Sequence, residues 1–241
     1  MKCIAVCAVA LICSDHAPQF TSESELEMDA AKATLTKRWE SLTHPPLIQL
    51  SKFLLSWDVA YVSDYGLIEL RHPDAGEAGD GDLSYTFYVH PRGDQVKLKE
   101  MLSQFHQDPE SCFAEFMLHF AGLGEATDEY WRFVDEKEPW LTLKNAYGED
   151  FEGPDCIWEP DSENKRDYDV WKEAFRFYTA GNGDVLLMHP DGRIAWWVMG
   201  EAIAQPVADS FEEFVLMYIE FRSKGLIPDS DEGPFAMDED E

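Results

Sequence analysis

The residues that could carry out chemistry in this chain do not form a recognised catalytic or nucleotide-binding pattern. No G-x-S-x-G nucleophile motif is present, and the G-x-G runs at 122–124 and 181–183 lack a third glycine and a Walker-type lysine at the required spacing. With 48 Asp and Glu side chains, carboxylate pairs are too common to identify a glycosidase-like site. We therefore predict no catalytic residues and no cofactor, with a hydrolase built on an unrecognised carboxylate site as an alternative.

The spacing of the histidines and cysteines does not indicate a metal site. None of the seven histidines pairs with another at i, i+4, and the chain has no C-x-x-C motif. His90 and His189 each precede a proline at the end of a predicted strand, where a polar turn residue is common. Asp229 and Asp231 lack the further ligand spacing of an EF-hand loop, since Gly233 stands at the next ligand position. We predict no metal ligands.

Cys112 lies at the start of a predicted helix, where the helix N-terminus can lower the pKa of a thiol. No partner base can be identified from the sequence, and the apolar face of this helix is aromatic, so a packed structural cysteine is the favoured interpretation. The chain has five cysteines in all, an odd and sparse set that is not a disulfide framework. Reduced thiols in a cytoplasmic protein are the simplest prediction.

Charge is the most informative property of the composition. The 241 residues include 19 Lys and Arg against 48 Asp and Glu, a formal net charge of −29, while 45% hydrophobic residues suffice for a packed core. Such a surface repels phosphate backbones and anionic lipid, which disfavours binding to nucleic acid or to a membrane surface. It favours a basic protein partner, although the acidity could equally serve only to keep the protein soluble. The oligomeric state is not determined by these features.

Two segments are especially acidic and are the predicted partner-binding face. One is the glycine-rich connection 72–82, and the other is the segment 148–169. The candidate partner-binding residues are Asp74, Glu77, Asp80, Asp82, Glu149, Asp150, Glu152 and Asp155.

The two ends of the chain differ in composition from the central part. Residues 1–28 form an N-terminal tail in which Lys2 and an apolar run at 3–13 resemble a short signal peptide, so export stays open, as does translation starting at Met28. Residues 229–241 carry seven acids and no base, which predicts a disordered acidic tail. Between them, residues 29–228 are predicted to form a single domain.

The first half of this domain is predicted to contain helices flanking a group of strands. Residues 29–57 have helical character interrupted by Pro45 and Pro46. Runs rich in β-branched and aromatic residues follow at 59–62, 67–70 and 85–89. Two helices come next, the second with Asp108 as N-cap and Pro109 as its first residue. Residues 125–165 show little periodicity, which predicts irregular structure.

The last part has the clearest pattern. Strands are predicted at 175–178, 185–188 and 194–199, joined by Gly- and Asp-containing turns into a three-stranded antiparallel meander. Ser210 and Glu213 form a capping box that starts a closing amphipathic helix. Adjacent Trp196 and Trp197 must point to opposite faces of their strand, and both are expected to be covered.

These elements predict an α+β fold with a mixed, largely antiparallel sheet and helices packed on it. We expect a fragment of residues 167–228 not to fold alone, because the strands between 57 and 90 should complete its sheet.

The order of elements over residues 175–214 resembles the SUKH superfamily, which includes fungal cell-wall assembly regulators and bacterial immunity proteins. The residues that carry the resemblance are Gly181-Asn182-Gly183-Asp184, Asp191-Gly192, the Trp-containing strand 194–198, Pro206-Val207-Ala208, and Ser210, Phe211 and Phe214 of an S-F-x-x-F helix start. The resemblance implies a SUKH-like fold and a non-enzymatic binding protein. It also implies an immunity protein that neutralises a basic, nuclease-type toxin by occlusion, with an intracellular regulator or scaffold of the same fold as the alternative.

Overall fold

A computed structural model of the chain describes residues 23–64, 66–73, 86–92, 94–120, 142–143, 163–179, 184–198 and 200–224. Helices and two antiparallel sheets form this part of the chain, which confirms the α+β class. Among the described residues, no helix combines the length and the apolar character needed to cross a membrane.

The first part of the chain consists of paired helices and a small sheet. Its elements are α1 (Glu23–Trp39), α2 (Pro45–Leu55), β1 (Asp58–Val62), β2 (Ile68–Arg71), β3 (Thr86–Val89), α3 (Gln95–Gln104) and α4 (Cys112–His119). Pro45 and Pro46 occupy the first positions of α2. A backbone N–H at these positions has no partner within the helix, so the missing N–H of proline is tolerated, and the φ of proline suits a helix. The proline pair therefore starts α2 as well as separating it from α1.

Strands β1, β2 and β3 form an antiparallel meander in that order. Leu70 lies opposite both Val59 and Phe87, and all three side chains are buried. The three strands were predicted within one or two residues of their bounds, because their apolar side chains occupy the core face of the sheet.

The second part consists of α5 (Glu163–Trp171), β4 (Phe175–Thr179), β5 (Val185–Met188), β6 (Ile194–Val198), β7 (Ile203–Ala208) and α6 (Phe211–Ser223). The sheet has four strands in the order β4-β5-β6-β7, so the predicted three-stranded meander lacked β7. Pro206 disfavoured a strand assignment, but β7 is an edge strand, where a missing backbone donor is tolerated.

A single mixed sheet was expected. The described strands instead form two separate antiparallel sheets. A shared hydrophobic core connects the two halves instead. It contains Leu50 and Leu54 of α2, Phe87 of β3, Phe177 of β4 and Phe214 of α6. The second half therefore depends on the first through side-chain packing rather than through strand pairing.

Trp196 and Trp197 do face opposite sides of the second sheet, and both are buried, as predicted. Trp196 belongs to the shared core, whereas Trp197 packs in a second cluster with Trp171 of α5 and Leu187 of β5. The sheet is thus covered on both faces, by α6 with its neighbours on one side and by α5 on the other.

We expect a fragment of residues 163–228 to show no cooperative thermal unfolding. The fragment starts at residue 163 so that it includes the whole of α5. Without residues 23–120 the apolar face of α6 and one face of the second sheet would be exposed to water. Circular dichroism melting, with the full chain as the control, tests this. A sharp, reversible transition in the fragment would contradict the expectation.

Candidate functional site

All eight acids of the predicted partner-binding face lie outside the described residues, in segments 74–85 and 144–162. The net charge is divided unevenly between the described residues and the rest of the chain. The described residues contain 24 acids and 15 Lys or Arg, a net charge of −9, out of −29 for the whole chain. The remaining −20 therefore belongs to the ends of the chain and to the segments between the described elements.

Cys112 is a core residue. The N-cap of α4 is Ser111, whose hydroxyl accepts a hydrogen bond from the backbone N–H of Ala114 at 3.2 Å, so the predicted N-cap at Asp108 was wrong. Asp108 instead accepts from the backbone N–H of Glu110 in the turn before the helix. Its short side chain competes for local donors here, which is why the sequence pattern placed the cap three residues early.

Burial raises the pKa of the Cys112 thiol to about 12, and the carboxylates of Glu212 and Glu115 act in the same direction. The helix N-terminus does not offset these effects, so the thiol is protonated and unreactive at neutral pH. The structural interpretation of this cysteine agrees with its complete burial in the aromatic core.

A small polar cleft of about 140 Å³ lies where α2, α3 and α4 begin. Its lining includes Thr43 and His44 before α2, Gln95 and Lys99 of α3, and Ser111 and Glu115 at the start of α4. This site was not predicted from the sequence, because Thr43 and His44 lie more than 50 positions before the other residues of its lining.

The carboxylate of Glu115 is the best-connected polar group of the cleft. Oε1 accepts from the backbone N–H and the hydroxyl of Thr43 at 2.8 and 2.9 Å, and Oε2 accepts from the backbone N–H and Nδ1 of His44 at 2.9 and 2.8 Å. Partial burial alone would raise the pKa of Glu115, but the hydrogen bonds from His44 and Thr43 lower it overall.

Glu115 thereby caps α2 from another helix. His44 is the N-cap residue of α2, and its side chain makes no capping bond of its own. A helix N-terminus carries partial positive charge and unpaired N–H groups, which a carboxylate satisfies. The His44 ring is held by the same carboxylate, and no hydrogen bond in the described part joins this ring to Ser111. These hydrogen bonds connect α4 to the start of α2, which is a structural role and not that of a catalytic triad.

His119 and His189 also make contacts that support the fold. The Nδ1 of His119 donates to the backbone oxygen of Arg38 at 3.1 Å, and burial together with Arg92 and Arg38 lowers the pKa of this imidazole. His189 contacts Asp191 at 2.7 Å in the turn between β5 and β6. Within the described ranges, no three His, Cys, Asp or Glu side chains are grouped as metal ligands.

Comparison with known proteins gives no relative for this chain. No family model, no curated protein and no solved structure matches it.

Cys112 is expected to resist alkylation by iodoacetamide at pH 8 in the native protein and to react completely in denaturant. The reason is its burial and raised pKa, which leave almost no accessible thiolate. Peptide mass spectrometry of Cys112 before and after unfolding measures this. Rapid native labelling would contradict the assignment of Cys112 to the core.

Replacing Glu115 with Gln should lower the free energy of unfolding at pH 7 by about 1–2 kcal/mol, because the neutral amide caps α2 less well. The Glu115 pKa is lower in the folded state, so the contribution of this residue is present above its unfolded pKa and is lost as pH falls through the folded value. Urea unfolding at pH 7 and pH 3 measures both effects. Glu110→Gln, an exposed change in the same cleft, is the control. An equal loss of stability in both variants would argue against the capping role.

Proposed function

We propose that this chain is a non-enzymatic binding protein that occludes a basic protein partner in a stoichiometric complex. The observation that carries the proposal is the charge distribution: a net −29, of which −20 lies outside the described helices and strands. The acids divide equally between the described residues and the rest of the chain, with 24 in each, but 15 of the 19 Lys and Arg lie among the described residues. The connecting segments and tails therefore carry acids that few bases neutralise, as a surface for a basic partner requires.

Electrostatic complementarity is the physical basis of the proposed binding. A dense set of carboxylates produces a long-range negative potential that steers a basic partner and raises the association rate, with strong dependence on salt. Nucleases that grip a phosphate backbone have basic clefts, and carboxylates can occupy such a cleft in place of phosphate. The candidate face consists of the segments 72–82 and 148–169.

The described residues support binding rather than turnover. Glu115 caps a helix, Cys112 is buried with a raised pKa, and Ser111 caps α4. Each of these potentially reactive groups already has a structural partner or lies in the core. The motif resemblance over residues 175–214 to the SUKH superfamily favours one form of the proposal, an immunity protein against a nuclease-type toxin.

The partner is best identified by capture from the native cells with the full chain as bait at low salt. We expect a basic protein that is released by high salt and whose nuclease activity is inhibited at one-to-one stoichiometry. Recovery of a basic protein without such activity would favour a regulator or scaffold of the same fold. Recovery of acidic or neutral proteins, or of none, would overturn the proposal.

Neutralising four acids of the 72–82 segment should slow association with that partner at low salt by roughly tenfold, because steering depends on local charge. The variant carries Asp74→Asn, Glu77→Gln, Asp80→Asn and Asp82→Asn. A second variant carries Glu149→Gln, Asp150→Asn, Glu152→Gln and Asp155→Asn. The control removes the same charge from the tail with Asp238→Asn, Glu239→Gln, Asp240→Asn and Glu241→Gln.

Association rates from surface plasmon resonance at two salt concentrations distinguish these variants. An effect confined to either internal segment supports the proposed face. Equal effects in all three variants would show that only net charge matters, and would contradict the assignment of the face.

A further inference from the structure

Arg38, in the last turn of α1, is partly buried and has an incompletely bonded guanidinium. Its Nη1 donates to the backbone oxygen of His90 at 2.7 Å. Its Nε and Nη2 are buried and have no hydrogen-bond partner. Buried donors of a charged group are nearly always paired, so these two nitrogens require an explanation.

The two nitrogens lie on the same edge of the guanidinium plane. This edge presents parallel N–H groups that match the two oxygens of a carboxylate or phosphate in a bidentate contact. The contact to His90 uses the remaining nitrogen and holds the guanidinium in place without occupying that edge.

The surroundings of Arg38 add positive charge. The Glu115 carboxylate acts on neighbouring His119, but it is bonded to Thr43 and His44. Arg92 lies close enough to act with burial in lowering the pKa of Arg38 to about 10, and both arginines lower the pKa of His119. Over the described ranges, neither arginine forms an ion pair with a carboxylate. In a chain with 48 acids and 19 Lys and Arg, such a cationic group without an acid is unexpected.

The ends of two helices account for part of this arrangement. Helices α1 and α4 both finish here, and their C-terminal carbonyls favour nearby cations. The carbonyls of Arg38 and His119 are already used, by the His119 Nδ1 and the Trp39 Nε1. The partial negative charge of the helix ends therefore stabilises the cation, but these two carbonyls do not accept from Nε and Nη2 of Arg38.

We propose that Arg38 and Arg92, beside His119, form a binding site for a small oxyanion, either a phosphate or a carboxylate. The anion receives two hydrogen bonds from Nε and Nη2 of Arg38 and a further charge contact from Arg92. Arg92 is exposed, so its guanidinium is accessible to an anion from solvent. This site uses none of the acidic segments, and its existence is independent of the proposed basic partner.

Thermal unfolding of the full chain at pH 8 in chloride, phosphate and acetate of equal ionic strength tests the site. Phosphate or acetate at about ten times its Kd should raise the Tm of the wild type by roughly 3 °C or more over chloride. Arg38→Met should abolish this gain, and Arg92→Met should reduce it. Lys37→Met, an exposed change of equal charge in the same helical turn, is the control and should keep the gain.

Phosphate also stabilises proteins non-specifically through its exclusion from their surfaces. An equal gain in the wild type, Arg38→Met and Lys37→Met would show this effect alone and would overturn the proposal, as would no gain in any anion. A gain with phosphate only, or with acetate only, identifies the class of ligand. If Arg38→Met does not fold, calorimetric titration of the wild type and Arg92→Met with phosphate and with acetate decides. Saturable one-site binding weakened by at least fivefold in Arg92→Met supports the site, and its absence refutes it.

Discussion

The C-terminal helix α6 packs one aromatic face against both halves of the molecule. Phe211 contacts Phe113 of α4 with ring centroids 5.0 Å apart, and Phe214 contacts Phe177 of β4 at 5.8 Å. Near its end, Arg222 is almost completely buried and donates from Nη2 to the backbone oxygen of Thr86 in β3 at 2.6 Å. In the described part of the chain the two sheets share no strand pair, so this helix, together with α2 and α4, joins them in one core.

Arg222 shows how the core accommodates a cation. Its guanidinium lies over the rings of Trp57 and Tyr218, at 5.8 and 6.0 Å from their centroids, and ring faces attract a desolvated cation. Arg38 differs, because its neighbours are cations and helix-end carbonyls already engaged. The two arginines therefore differ in their surroundings, which are aromatic rings for Arg222 and a second arginine for Arg38. The acidic segments have the opposite charge. The chain thus combines the proposed local anion site at Arg38 with a large negative potential.

Much of the local structure was predictable from short-range patterns. Ser210 accepts from the backbone N–H of Glu213, as the capping box predicts, although the Glu213 carboxylate returns its bond to the N–H of Asp209. The two tryptophans at 196 and 197 face opposite sides because side chains alternate along a strand. These features depend on residues within four positions of one another. Two of the failures were also local, because Pro206 disfavoured a strand where β7 lies and Asp108 competed with Ser111 as the predicted cap of α4.

By itself, the sequence determined the α+β class, most element positions and the net charge, since periodicity, caps and composition are local or additive properties. Only the tertiary structure decided that there are two sheets, that Glu115 caps α2 from 71 positions away, and that Arg38 has an unpaired edge. Those outcomes depend on which buried groups meet across the core. Many long-range contacts are compatible with the same local preferences, and the packing of the whole core decides which of them form. Short-range sequence patterns therefore do not predict these contacts.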